Sequence, residues 1–295
     1  MTAQIISGTE VARQIREELK KEIDDLKSKH NLVPGLATIL VGADPASKVY
    51  VGQKEKACLE LGIYSERRDI PAETTENQLL ELVARLNKEP KIHGILIQIP
   101  LPKHINEAKV LYAIDPRKDV DGFHPTNLGK LMIGEPDFIP CTPHGIQQLI
   151  VRSGIPTDGA EVVVLGRSNI VGKPIANIML QKAKGANSTV TVCHTATKDL
   201  AFHTRRADIL IVAAGRPRAV TADMVKEGVV VIDVGVNEIG KTADGKRILA
   251  GDVDYEPVKA KAKAITPVPG GVGPMTITML MLNTVKAAKL AAGIK

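Results

Sequence analysis

Along residues 9 to 29, Val11, Ala12, Ile15, Leu19, Ile23 and Leu26 recur at three- and four-residue steps among charged neighbours. That spacing gathers them on one stripe and predicts an amphipathic helix, with Thr9 as its cap and Glu10 in the first turn. GLATILVG, at 35 to 42, changes the period: a short unbroken apolar run closed by glycine predicts a strand covered on both faces of a parallel sheet. Helical spacing returns from Ser47 to Leu61 and stops at Gly62, a residue suited to a left-handed C-terminal cap. HGILIQIPLP, 93 to 102, predicts another buried strand, with Gln98 in its middle. The first half reads β-α-β-α.

From 115 to 145 the periodicity dissolves into a stretch rich in Pro, Gly and Asp, expected to be an irregular crossing between domains. A second alternation follows. AEVVVLG (160 to 166), TVTVC (189 to 193), ADILIVAAG (207 to 215) and GVVVIDVGVN (228 to 237) predict strands, with a helix over 170 to 183. This order predicts a Rossmann-like parallel sheet with right-handed crossovers. MTITMLMLNTVKAAKLAA, 275 to 292, predicts a long helix returning to the first domain. The expected fold is α/β: two α/β domains around a cleft. The first spans 1–139 and is completed by the C-terminal helix, 275–295; the second, 140–274, is the Rossmann-like one.

Composition narrows the function classes. The 295 residues are 44% apolar and 24% charged, which predicts an ordinary globular protein with a substantial core. Aromatic residues make up 2% with no Trp, so the core must come from aliphatic side chains. No run reaches the ~18 apolar residues of a spanning helix and no leader pattern opens the chain, so the expected place is the cytoplasm, with no membrane partner. The three cysteines, Cys58, Cys141 and Cys193, are far apart and form no paired motif, and the histidines lack ligand spacing, so no metal is expected. The net charge of +6 is spread without blocks, which argues for anionic small molecules rather than nucleic acid.

The turn VVVLGRSNIVGKP is where a dinucleotide site would lie, since glycine lets the backbone approach a pyrophosphate beside a helix N-terminus. Gly166 and Gly172 are six apart with no G-x-G, so spacing alone leaves a ligand-free glycine turn open. The next strand ends in Cys193, His194 and Thr195, without the carboxylate that NAD sites use for the ribose hydroxyls. Arg167 offers a planar cation to a 2′-phosphate, which favours NADP; a solvated surface arginine is the alternative.

Tyr50 and Lys54 stand four apart on the second predicted helix and project to one region, whereas Lys56 points elsewhere. They are either a catalytic pair or a half-buried anchor beside a surface charge. Gln98 needs partners wherever its strand is buried, because an unpaired amide costs roughly 1 to 3 kcal/mol. Asp119 and Asp121 in DVDG suit a turn, as does a second DVD at 252 to 254, and neither continues into a calcium loop. PVPGGVGP, 267 to 274, is rigid and nearly bare of side chains, either a tight connection or a wall for a flat ligand.

YVGQKEKACLELGI, GILIQIPLP, DVDGFHPTNLGKL, PCTPHGI, GRSNIVGKP, IDVGVN, GDV and ITPVPGGVGPMT, in this order and across nearly the whole chain, resemble the bifunctional methylenetetrahydrofolate dehydrogenase/methenyltetrahydrofolate cyclohydrolase family. The resemblance implies oxidation of 5,10-methylenetetrahydrofolate by NADP and hydrolysis to 10-formyltetrahydrofolate, in one-carbon metabolism. It also implies a homodimer that binds tetrahydrofolate derivatives in the cleft. By the same resemblance Lys54 is the catalytic lysine, Tyr50 stacks on the pterin, Gln98 contacts the lysine and Asp121 holds the ring. Pro269, Gly270, Gly271, Val272 and Gly273 match the folate-side loop. Gly166, Arg167 and Ser168, with Gly172 in the same loop, match cofactor positions, as do Thr195, where some relatives carry Ser, and Val236. A neutral Lys54 would serve as general base in the hydrolysis. Bringing its pKa from about 10.4 to about 7 requires roughly 4 to 5 kcal/mol. A generic NADP dehydrogenase and a basic nucleic-acid or scaffold protein remain the rivals.

Overall fold

Apolar runs bounded by glycine and proline become the strands and helices of a computed structural model that describes residues 3–242, 245 and 247–294. In chain order they are β1 (Gln4–Ile5), α1 (Gly8–His30), β2 (Gly35–Val41), α2 (Pro45–Leu61), β3 (Tyr64–Ile70), α3 (Glu76–Lys88) and β4 (Gly94–Ile97). Then come α4 (Glu107–Leu111), α5 (Pro125–Met132), α6 (Cys141–Arg152), β5 (Glu161–Leu165), α7 (Gly172–Leu180), β6 (Thr189–Cys193), α8 (Leu200–Thr204) and β7 (Ile209–Val212). The last are β8 (Val230–Asp233), β9 (Asn237–Lys241), β10 (Arg247–Ala250), α9 (Tyr255–Lys259), β11 (Ala264–Ile265) and α10 (Val272–Ala291). The chain divides into two units, one of residues 14–141 with 277–295 and the other of 1–13 with 142–276.

The first unit holds a three-stranded parallel sheet in the order β3-β2-β4. Every residue of β2 is buried, as its unbroken apolar run requires of a central strand. Ile39, Leu79, Val83, Leu86, Ile95, Ile97 and Val110 pack into one core. Each such aliphatic side chain contributes roughly 1.5 to 3 kcal/mol when fully buried. The helix α3 starts on a capping box in which Thr75 and Gln78 satisfy each other's backbone N–H groups. The edge strand β3 reads YSERRDI, and its Arg67 pairs with Glu55 and Asp69. With no apolar run, this strand has no signature in the sequence.

The second unit is built on a six-stranded parallel sheet, β1-β11-β8-β7-β5-β6. Its middle strands β7 and β8 are wholly buried and β5 nearly so, with Val163, Leu165, Leu210, Val212, Val231 and Ile265 in a shared core. From β5 the chain passes to β6 on one side and returns to β7 on the other. That reversal opens a crevice at the carboxyl ends of β5 and β7, where sheets of this kind take their ligands. An antiparallel hairpin, β9 with β10, stands apart from the sheet.

Several sequence expectations are corrected. The stretch 115 to 145 is not irregular throughout, since it contains α5 and the start of α6; Pro125 sits in the first turn of α5, where a missing N–H costs nothing. Thr9 lies inside α1, and it is the Ser7 hydroxyl that accepts from the Glu10 N–H at 3.3 Å. Gln98 falls just beyond β4 rather than in its middle, because Pro100 and Pro102 supply no N–H to prolong the ladder.

Candidate active site

In the three-stranded unit, α2 is bounded sharply at both ends. The Asp44 carboxylate accepts from the Ser47 N–H at 2.7 Å, and Gly62 closes the helix at φ 81°, a left-handed conformation glycine adopts without strain. Tyr50 and Lys54 therefore sit one turn apart on a well-fixed scaffold. Tyr50 is 39% exposed and Lys54 is half-buried. Lys54 donates from Nζ to Oε1 of Gln98 at 2.9 Å. The Gln98 amide is itself locked, since its Nε2 donates to the Ile99 carbonyl at 2.7 Å and its backbone N–H to Ile39 at 2.9 Å. Its oxygen is thus committed to the lysine. Lys56 points outward toward Glu60.

Asp121 arrives on the DVDG turn. Asp119 is buried and accepts from the Phe123 and His124 N–H groups, at 3.2 and 2.8 Å, and from Asn127 Nδ2 at 2.7 Å. Gly122 has φ 77°, and a Cβ there would lie 2.7 Å from the Pro140 nitrogen, so the turn admits only glycine. One acid thereby folds the turn and leaves the other to the site. Burial pushes the Asp121 carboxyl up to about 6, against the pull of Lys54. Burial likewise lowers the Lys54 pKa, opposed chiefly by the charge of Asp121.

Two further residues complete this arrangement. The buried Cys141 thiol donates to the Val120 carbonyl at 3.3 Å, and burial beside Asp121 keeps it well above the usual thiol range. Asn283, buried on α10, donates to the Val120 and Ile139 carbonyls at 2.8 and 3.0 Å. Sequence reasoning passed over both. PCTPHG marks the position of Cys141 but not its neighbours; an amide inside the apolar run MLMLNTV is a readable sign of a buried hydrogen-bonding duty.

In the six-stranded unit Gly166 ends β5 at φ 132°, and a Cβ there would stand 2.3 Å from the Ala213 carbonyl oxygen. A Cβ at Gly172 would come within 2.2 Å of the Gly166 oxygen. The turn between them is pinned by close backbone approaches at both glycines and leads into the start of α7, a place that fits a dinucleotide pyrophosphate. Arg167 and Ser168 are exposed on it, and the Ser168 hydroxyl accepts from the Val171 N–H at 3.1 Å. Thr195 follows β6 and Val236, 48% exposed, follows β8, so the sheet order strings all these positions along its carboxyl edge. No carboxylate closes β6, where the buried Cys193 is followed by His194 and Thr195.

The structure thus brings Lys54, Gln98 and Asp121 together, with Tyr50 one turn away on α2. Pro269, Gly270, Gly271, Val272 and Gly273 belong to the six-stranded unit, where Gly270 accepts from the Thr9 N–H at 3.1 Å and α10 begins at Val272.

Fold and sites define a nicotinamide-dependent enzyme whose other unit carries a lysine–amide–acid cluster. Residues 6–121 match the tetrahydrofolate dehydrogenase/cyclohydrolase catalytic domain, and residues 140–292 its NAD(P)-binding domain. The chain belongs to the tetrahydrofolate dehydrogenase/cyclohydrolase family. It is 69% identical over 294 residues to the bifunctional protein FolD of Syntrophus aciditrophicus, covering 100% of both chains. Among solved structures it is similar to the bifunctional FolD of Campylobacter jejuni, at 48% identity and TM-score 0.91 over 98% of this chain and 99% of that one. The Trypanosoma brucei enzyme, complexed with NADP cofactor and inhibitor, is 39% identical with TM-score 0.94 over 99% of each chain. Among the described residues no helix is long and apolar enough to cross a membrane.

Proposed function

We propose that this protein oxidises 5,10-methylenetetrahydrofolate with NADP and hydrolyses the resulting 5,10-methenyl cation to 10-formyltetrahydrofolate. The observation that carries this reading is the Lys54–Gln98 hydrogen bond beside Asp121. Bound NADP supplies the hydride acceptor at the carboxyl edge of the six-stranded sheet. Gly166, Gly172 and Ser168 would hold its pyrophosphate, Thr195 and Val236 would contribute beside them, and Arg167 would supply the cation for the 2′-phosphate. The missing carboxylate after β6 supports NADP over NAD.

Asp121, ionised above its shifted pKa of about 6, accepts two N–H groups from the pterin edge and fixes the ring. Tyr50 packs on its face. Lys54 takes a proton from the water that attacks the methenyl carbon, because burial favours its neutral amine. Gln98 Oε1 accepts one amine hydrogen and so orients the lone pair. The three-stranded unit with the C-terminal helix carries the folate chemistry and the six-stranded unit the cofactor.

The enzyme works in the cytoplasm as a homodimer. Three buried free cysteines suit a reducing compartment, and the exposed Ile239 and Ile248 of the β9–β10 hairpin support self-association. A spectroscopic assay with methylenetetrahydrofolate and each nicotinamide cofactor, following reduced cofactor and methenyl product together, tests the reading. Product formation with NADP is expected, and its absence with every cofactor overturns the assignment.

A further inference from the structure

The second DVD motif does more than turn the chain. Asp252 is fully buried, at 0% exposure, and among the described residues every partner of its carboxylate is an uncharged N–H group. Its Oδ2 accepts from the Ala214 and Gly215 backbone at 2.7 and 2.8 Å, and its Oδ1 from Asn237 Nδ2 at 2.9 Å. A second acid, Asp233, 2% exposed, stands behind it. Asp233 accepts from the backbone of Gly235, Asp252 and Val253 at 2.9, 2.9 and 3.0 Å, and its own N–H donates to the Thr266 hydroxyl at 2.8 Å.

These bonds converge on the loop after β7. Ala213, at its start, is the residue whose carbonyl oxygen crowds the Gly166 turn, so Ala213 to Gly215 form one wall of the crevice between β5 and β7. The far end of the same loop is also held: the Val220 N–H donates to the Asp252 carbonyl at 3.1 Å, and the Asp254 N–H to the Val220 carbonyl at 2.9 Å. Glycines let the acids come this close. A Cβ at Gly251 would lie 1.9 Å from Asp233 Oδ2, and one at Gly235 would lie 2.2 Å from Asp252 Oδ1. Burying two acids without a cation is unfavourable, and burial pushes the Asp233 carboxyl up to about 6.

We propose that Asp252, seated by Asp233, is a positioning residue for the nicotinamide cofactor, fixing the Ala213–Gly215 wall of the crevice through its two backbone N–H acceptances. This rests on the reading of the six-stranded unit as the NADP site. Asn in place of Asp252 keeps one oxygen for Ala214 and Gly215, while its amide donates to Asn237 once that side chain turns over. Ala leaves three N–H groups without an acceptor.

The test measures NADPH affinity by fluorescence titration of the full chain, with methenyl hydrolysis, which consumes no cofactor, assayed in parallel. For Asp252→Ala the NADPH dissociation constant is expected to rise at least tenfold while hydrolysis changes far less. Asp252→Asn is expected to return the constant to within threefold of the parent. An unchanged constant in the Ala variant, equal losses in both readouts, or an Asn variant as damaged as Ala overturns the proposal. Should the Ala variant not fold, hydrogen exchange on the parent decides: protected Ala214 and Gly215 amides beside a faster-exchanging Arg216 support the clamp, and free exchange at Ala214 and Gly215 overturns it. A parent chain that binds no NADPH refutes the cofactor reading itself, a result separate from either.

Discussion

Asn283 donates its side-chain amide to the carbonyl of Val120, the residue just before Asp121, at 2.8 Å. A helix residue far away in sequence thus holds the turn that presents the acid. Replacing Asn283 by Leu keeps much of the volume but removes the donor to Val120 and Ile139. The expected loss is about 1 to 3 kcal/mol, read as a lower urea midpoint with an unchanged slope.

Lys54→Met removes the base while keeping an unbranched stem at this position of α2. Hydrolysis of the methenyl substrate is expected to fall at least ~100-fold, with circular dichroism and melting temperature near the parent values. Hydrolysis at the parent rate would remove Lys54 from the mechanism.

The Asp121 carboxyl titrates at about 6, raised from its ordinary value by burial. Above that pH it is an acceptor for two pterin N–H groups; below it, protonation replaces one acceptor with a donor. KM for methylenetetrahydrofolate is therefore expected to climb as pH falls through about 6, approaching tenfold per unit. In Asp121→Asn the same profile should be flat and displaced to weak binding. A parent KM that stays constant from pH 8 to pH 5 excludes the role.

Arg167→Ala removes the exposed cation on the cofactor turn. A charge-assisted contact to phosphate is worth roughly 1.5 to 3 kcal/mol, so KM for NADP should rise roughly tenfold to a hundredfold. KM for NAD, which lacks the 2′-phosphate, should change little. Equal losses for both cofactors contradict the assignment.

Buried strands and bounded helices were legible because burial writes itself as composition. The run 35 to 42 became β2, with every residue buried, and Gly62 closed α2 where the pattern stopped. TVTVC became β6 residue for residue. The pairing of Lys54 with Gln98 was readable only in part, because helix periodicity places Lys54 on a face but says nothing of what faces it. What stayed hidden depends on contacts distant in sequence. The strand β1 exists because Gln4 and Ile5 pair with Ala264 and Ile265, and two residues carry no period. Asp119 is the turn former its motif suggests, accepting from Phe123 and His124 just beyond it, whereas Asp252, read the same way, is buried and receives N–H groups from Ala214 and Gly215 far off in sequence.

The outer strand β3 carries Glu66, Arg67, Arg68 and Asp69 along the margin of its sheet, with Arg67 held by Glu55 and Asp69. A foreign strand laying itself along that border would have to strip water from this row of ions before gaining a single ladder bond. The sheet therefore ends there by chemistry as well as by length, and crowded newly made chains are guarded against stacking into aggregates through that side.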